Sequence, residues 1–237
     1  MKILHWNSNF SSSLLGSSSS RKKAEAILPF IQGYDVVILN EIWAENAKNI
    51  FSIQYPYSYR GSRGSWKIFD GGILILSQHP LSTIDFLEYS VSAGWDWFAT
   101  KGIISFFIQL NEETYQIFVT NIQTGYTYKE HMARRVQIKE ISSYVKEKSL
   151  KGYNSIIMGN FNVMSLLDDK MSDQTHDMMD ALSRDIEYKF LLDNMHMPNI
   201  NHGGADRTHI FTDLDNIKVE NHSVDGLEAE GYIALDL

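Results

Sequence analysis

Cysteine is absent from the 237 residues, which removes disulfides, thiol nucleophiles and thiolate metal sites and leaves the compartment open. The sequence also lacks any uninterrupted apolar run of roughly 18 residues, the length a membrane-spanning helix needs. Basic charge is scarce: 21 Lys and Arg face 29 Asp and Glu, for a formal charge of −8. A polyanion would meet a repulsive average field, so nucleic acid is disfavoured as a partner. The dense basic runs, Arg21-Lys22-Lys23 and Arg134-Arg135, fall in helix-like segments and read as solvated helix faces rather than phosphate contacts. Met1-Lys2 leads straight into "ILHWN" with no long apolar stretch behind it, so a secretory leader is not expected. That favours the cytoplasm, although a mature secreted form could start at the same place.

What remains is an ordinary globular composition, 43% hydrophobic and 21% charged, long enough for one large core. Short apolar runs alternate with helix-like segments. "KILHW", "DVVILNE", "ILILS", "STIDFLEYS", "GIISFFIQL", "YQIFVTNIQ" and "NSIIMGNFNV" read as strands, and "NEE" as a hairpin turn. "RKKAEAILPFIQ", preceded by serines suited to capping, reads as a helix. So does "KEHMARRVQIKEISSYVKEK", where Met132, Val136, Ile138, Ile141 and Val145 recur at near-helical spacing. The span from Ser165 to Asn194 is expected to be helical, with strands near "THIFTD", "NIKVENHSV" and "YIALDL". "RGSRGSWKIFDGG" and "SAGWDWFATKG" read as loops. No repeat or linker divides the chain, so residues 1–237 are expected to form a single α/β domain with two sheets covered by helices.

The order of "LHWNSN", "DVVILNEIW", "DGGILILSQHPL", "ATKGIISFFI", "FVTNIQTGY", "IIMGNFNV" and "GYIALDL" resembles the endonuclease/exonuclease/phosphatase superfamily, and within it the bacterial neutral sphingomyelinases. "DVVILNE", the "KG" after an aromatic loop and the "R..Q..EI" helix carry the likeness to that branch. The resemblance implies a deoxyribonuclease-like four-layer α/β/β/α sandwich with two mostly antiparallel sheets. It also implies metal ligands at Asn7 and Glu41, and makes Asn162 the surviving amide of a G-D-x-N block.

Other positions depart from that pattern. Gln123 stands where the family has histidine, Asn160 replaces the aspartate of the G-D-x-N block, and Glu230, Gly231 and Tyr232 stand at the closing S-D-H. His209 occupies the place of a further aspartate. An amide does not titrate, and a phenol does so only near pH 10 (about), so neither replaces an imidazole in moving a proton. The resemblance thus implies a phosphodiesterase site that has lost its acid–base groups, holding at most one weakly bound divalent cation such as magnesium, because one carboxylate makes a thin ligand shell.

Simpler readings stand beside these. Glu41 could be a hydrogen-bonded strand-end acid, and Asn160 and Asn162 could cap a turn. His5, His131, His176 and His222 have no partner at ligand spacing and read as surface or packing residues. Trp95, Asp96, Trp97 and Phe98 could belong to the core, to the wall of a substrate pocket, or to an edge that touches a membrane. The expected ligand is a small or lipid-like molecule in the cleft. Three tasks remain open: binding by a pseudoenzyme, acid catalysis using Glu41, Asp96 or Glu230, and residual magnesium-dependent ester hydrolysis.

Overall fold

A computed structural model describes residues 1–10, 18–110, 112–163, 178–195, 208–215, 217–222 and 232–237. The first sheet contains β1 (Lys2–Phe10), β2 (Val36–Ile42), β3 (Tyr57–Arg60), β4 (Ile73–Ser77), β10 (Lys218–His222) and β11 (Tyr232–Asp236), in the order β10-β11-β1-β2-β4-β3. The second contains β5 (Ser82–Glu88), β6 (Gly102–Leu110), β7 (Glu113–Asn121), β8 (Asn154–Asn160) and β9 (Thr208–Thr212), in sequential order. All neighbours are antiparallel except β1 with β2 and β7 with β8.

Each sheet is apolar on both faces, which explains why several strands read as continuous hydrophobic runs rather than alternating ones. Ile3, Val36, Ile38, Ile73 and Ile75 of the first sheet pack against Ile104, Phe106, Ile117, Val119, Ile156 and Met158 of the second. The outer face of the first sheet carries Leu4, Trp6, Val37, Leu39, Leu74 and Leu76 against helices α1 (Ser18–Ile31) and α2 (Glu45–Ser52). The outer face of the second carries Ile103, Phe118, Ile157 and Phe211 against α3 (Tyr128–Lys148) and α4 (Met178–Asn194). Three apolar layers thus separate four layers of secondary structure, the expected α/β/β/α sandwich.

Three local expectations change. β3 lies in a stretch with no strand expectation, and the "SAGWDWFATKG" loop contains a short 3-10 helix, Gly94–Phe98. The α3 helix begins at a capping box between Thr127 and Glu130, but Met132 and Val136 face solvent while Arg134 and Gln137 are buried. Arg134, expected on a solvated face, is 1% exposed. Its guanidinium donates to Glu187 Oε1 at 2.8 Å and to the carbonyls of Gly125 at 2.6 Å and Gln123 at 3.2 Å. A buried guanidinium needs such a set of acceptors to offset its lost hydration. The helix expected from Ser165 is described from Met178 onward, and its first part, with His176, lies outside the described residues.

β8 lies close against β7 at Gly159, which pairs with Thr120. A methyl group there would sit 2.1 Å from the Thr120 carbonyl oxygen, a main-chain atom that cannot rotate away. Gly159→Ala should therefore destabilise the protein by about 3 kcal/mol in urea denaturation, the upper range for overpacking a closed site.

Candidate functional site

The polar residues singled out in the sequence gather where β1, β2, β7 and β8 end. Strand alternation sends Asn7, Asn40, Asn121 and Asn160 toward the space between the sheets, in step with Ile3, Ile38, Val119 and Met158. Asn40 Nδ2 crosses from the first sheet to the carbonyl of Thr120 in the second, at 2.7 Å. Asn121 Nδ2 donates to the carbonyl of Gly71 at 3.2 Å. These amides tie the polar end of the apolar layer together through their Nδ2 groups, while the Oδ1 atoms of both are buried without a hydrogen-bond partner.

Glu41 breaks the alternation. Its neighbours at the same parity, Val37 and Leu39, belong to the helix-covered face, yet its backbone is left-handed, with φ 57°. For a residue other than glycine this costs on the order of 1–3 kcal/mol. The twist brings the carboxylate beside Lys101, whose Nζ lies 3.6 Å from Glu41 Oε1. The other carboxylate oxygen accepts the indole N–H of Trp43 at 2.9 Å. Trp43 reaches it by lying flat on Gly72, where a Cβ would meet the ring at 2.7 Å and where φ is +67°. Glu41 Oε1 is buried and accepts no hydrogen bond.

Lys101 is the hub. Nearly inaccessible, its ammonium lies 3.2 Å from Asp96 Oδ2 and donates to the carbonyl of Ile122 at 2.8 Å. Asp96 Oδ2 also accepts from the backbone N–H of Thr124 at 2.6 Å and its hydroxyl at 3.0 Å. Asn162 Nδ2 donates to the same Ile122 carbonyl at 2.9 Å. Asn160 Oδ1 accepts the backbone N–H of Asn162, whose own φ is 50°. Glu41, Asp96, Lys101, Asn160 and Asn162 therefore form one connected network.

Gln123 is spent entirely on the main chain. Its Oε1 accepts from the N–H of Ala93 at 2.8 Å, and its Nε2 donates to the carbonyls of Ala93 at 3.0 Å and Thr124 at 2.9 Å. Gln137 repeats the device: its Oε1 accepts the Gln123 N–H at 2.7 Å and its Nε2 donates to Val91 O at 2.8 Å. Two glutamines thus staple residues 91–93 to the end of β7.

Two of the sequence candidates face elsewhere. On β11 Ile233 and Leu235 point between the sheets, so Tyr232 points to the opposite, helix-covered face. There it lies 5.2 Å from Trp6 and stacks on His222 at 4.6 Å. His209 likewise packs on the outer face of its sheet, among Phe161, Tyr188 and Phe211, with Nε2 2.7 Å from the carbonyl of Val163. Strand parity thus turns Tyr232 and His209 away from Glu41. Glu230 lies outside the described residues. Trp95 and Trp97 are exposed, with Phe98 packed against both, so they form a rim and not an enclosed pocket wall.

Lys101, Trp43, Asn40, Asn121, Arg134 and Gln137 were not singled out as site residues. The signals were present in the "KG", "NEIW" and "R..Q" blocks. Among the described residues no three His, Cys, Asp or Glu side chains cluster at metal-binding distance.

Burial drives the His209 imidazole down from its ordinary value of 6.5 to about 4, and that of His5 to about 3. Folding therefore favours the neutral ring, and the unfolded chain binds more protons below pH 6.5. Stability should be fully present above that pH and fall as pH drops toward 4, by on the order of 3 kcal/mol for His209. Denaturation midpoints measured across this window should fall steadily, and His209→Gln should shrink the drop.

Comparison with known proteins places these observations in context. Residues 4–214 match the Endonuclease/Exonuclease/phosphatase family. Sphingomyelinase C 2 of Leptospira interrogans is 24% identical over 65% of this chain and 27% of its own length. Phospholipase C of Staphylococcus aureus is 26% identical over 67% of this chain and 52% of its own. The chain thus spans between about a quarter and a half of the length of these curated relatives. Among solved structures, beta toxin from Staphylococcus aureus superposes with a TM-score of 0.77 at 21% identity, covering 100% of this chain and 99% of that one. Sphingomyelinase C from Streptomyces griseocarneus gives 0.75 at 17%, covering 99% and 98%. A beta toxin variant with bound magnesium ions gives 0.74 at 20%, covering 99% and 98%.

Proposed function

Because the chain belongs to the Endonuclease/Exonuclease/phosphatase family, we propose that it is a sphingomyelinase-like protein that has lost phosphodiester hydrolysis and keeps the site to bind a lipid-headgroup-like ligand. One observation carries this reading. At each described position where the resemblance calls for proton transfer, the side chain is an amide bonded to the main chain or a ring packed on the far side of its sheet. Gln123, an amide held by the main chain of residues 93 and 124, has no titrating atom to take a proton from water. His209 is neutral and enclosed. General acid–base groups each contribute about two to four orders of magnitude, so their joint loss leaves positioning without chemistry.

A magnesium-type ion fits this donor set in part. Glu41 Oε1, buried and without a hydrogen bond, and Asn7, which pairs with Asn40 in the β1–β2 register, would be its protein ligands. Magnesium is commonly held by one or two carboxylates together with water and substrate phosphate. When bound, it would supply positive charge to hold a phosphate oxygen. The Lys101 ammonium already offsets the Glu41 charge from 3.6 Å, which weakens the claim of a second cation on that oxygen.

Two measurements test the proposal. Protein incubated with sphingomyelin and magnesium should release no phosphocholine above the blank; turnover of about 1 per second or faster, within the ordinary enzymatic range, would overturn it. Calorimetric titration with magnesium should give weak binding that disappears in Glu41→Gln. Tight saturable binding would restore the metalloenzyme reading.

A further inference from the structure

The two outer strands of the second sheet differ in what lies beyond them. β9 is buried along its whole length, whereas no residue of β5 is buried, and its outer edge pairs with no strand among the described residues. That edge is not a polar one: Ile84 is 38% exposed, and Phe86 and Leu87 are half-buried. Native sheets blunt an open edge with bulges, charge or cover. Here the bulge lies between Ser82 and Asp85, and leaves Asp85 to Glu88 in regular pairing with β6. Just beyond, Tyr89 N–H donates to the Lys101 carbonyl at 3.0 Å, so that facing pair is a hydrogen-bonded one. Such pairs alternate along an antiparallel ladder. Leu87 and Asp85 therefore aim their main-chain groups at β6, and Phe86 and Glu88 aim theirs away from it. Asp85 Oδ1 takes the Phe86 N–H at 3.0 Å. The Phe86 carbonyl and both main-chain groups of Glu88 face the open edge.

Beside this edge, α3 leaves a groove of about 320 Å³ lined by Leu87, Val136, Lys139, Glu140, Tyr144 and Glu147. Its α3 wall runs from Val136 to Glu147, roughly 16 Å at the helical rise. About five residues of extended chain cover that distance. Leu87, Val136 and Tyr144 make part of the groove apolar, so it suits one aliphatic side chain. Its charge decides the rest. Asp85, Glu88, Glu140 and Glu147 stand at the edge and groove against Lys139 and Lys148, and Lys148 is already held by Asp85 at 2.8 Å. A second copy of the chain would bring the same excess of carboxylates to the seam, where facing like charges destabilise pairing. A strand carrying basic side chains meets no such cost.

We propose that the open edge of β5 and the groove beside α3 form a docking surface for an extended, basic peptide segment, which adds to the second sheet as a further strand. The peptide main chain completes the hydrogen bonds left open at Phe86 and Glu88. One aliphatic side chain enters the groove between Leu87 and Val136, and the flanking lysines or arginines meet Glu147 and Glu88. This surface is independent of what the network around Lys101 binds.

The test uses the full chain and a fluorescein-labelled Lys-Val-Lys-Val-Lys peptide. Its anisotropy should rise to saturation as protein is added, and the Glu88 amide should exchange with deuterium more slowly in the complex than alone. Val136→Asp and Glu147→Lys, both at exposed positions of α3, should each weaken binding by about ten-fold or more. The Glu-Val-Glu-Val-Glu peptide and a lysine peptide N-methylated throughout should not bind, the first for its charge and the second for its lost main-chain donors. Ile53→Ser, at an exposed apolar residue on a different segment, should change nothing. Absence of saturable binding overturns the proposal, as does equal binding of either control peptide or unchanged affinity in either α3 variant. So does a Glu88 amide already protected without peptide, which would assign the edge to another segment of this chain. Self-association that Val136→Asp abolishes would assign it to a second copy and overturns the proposal equally. Phosphocholine binding is read separately, so failure of either reading leaves the other standing.

Discussion

A single ammonium, that of Lys101, holds the functional end of the molecule together. Removed from water, it meets the carboxylates of Asp96 and Glu41 and the carbonyl of Ile122, and each contact fixes a different piece of chain. Asp96 brings in the 3-10 helix with its exposed tryptophans, Glu41 the strained end of β2, and Ile122 the segment that also receives Asn162. A charge this deep is stable only while its partners stay in place. The network therefore makes the positions of the 3-10 helix, β2 and the β8 end interdependent.

Around that hub the polar groups serve as structure. Gln123 and Gln137 hold residues 91–93, Arg134 grips the carbonyls that follow β7, and Asn160 caps the turn to Asn162. Glu41 Oε1, Asn40 Oδ1 and Asn121 Oδ1 are buried at these strand ends without a hydrogen-bond partner. Two left-handed residues, Glu41 and Asn162, stand among them, and the rim is aromatic.

The layered fold was legible because both faces of both sheets are buried, so the strands appear as unbroken apolar runs with hairpin or helical connections between them. Asn7, Glu41, Asn160 and Asn162 stand out in the sequence through the family resemblance, and the structure sets them at or near the ends of such runs. The rest was hidden for equally specific reasons. Arg134 reads as a surface residue because charge normally prefers water, and its burial rests on Glu187, more than fifty positions away, together with the carbonyls of Gln123 and Gly125. Tyr232 and His209 are assigned by the order of blocks, and that order does not settle which face a strand turns outward. The one-residue parity of β11 sends Tyr232 to Trp6 instead of to the site. Glu41 escaped the opposite error only through its left-handed backbone, which no local pattern announces.

The double use of the Gln123 amide also sets what this position tolerates. An imidazole introduced here could not both accept the Ala93 N–H and donate to the Ala93 carbonyl as the amide does, so it would loosen the segment that leads into the 3-10 helix. One side chain at the end of β7 thus governs how firmly the exposed indoles of that helix are carried.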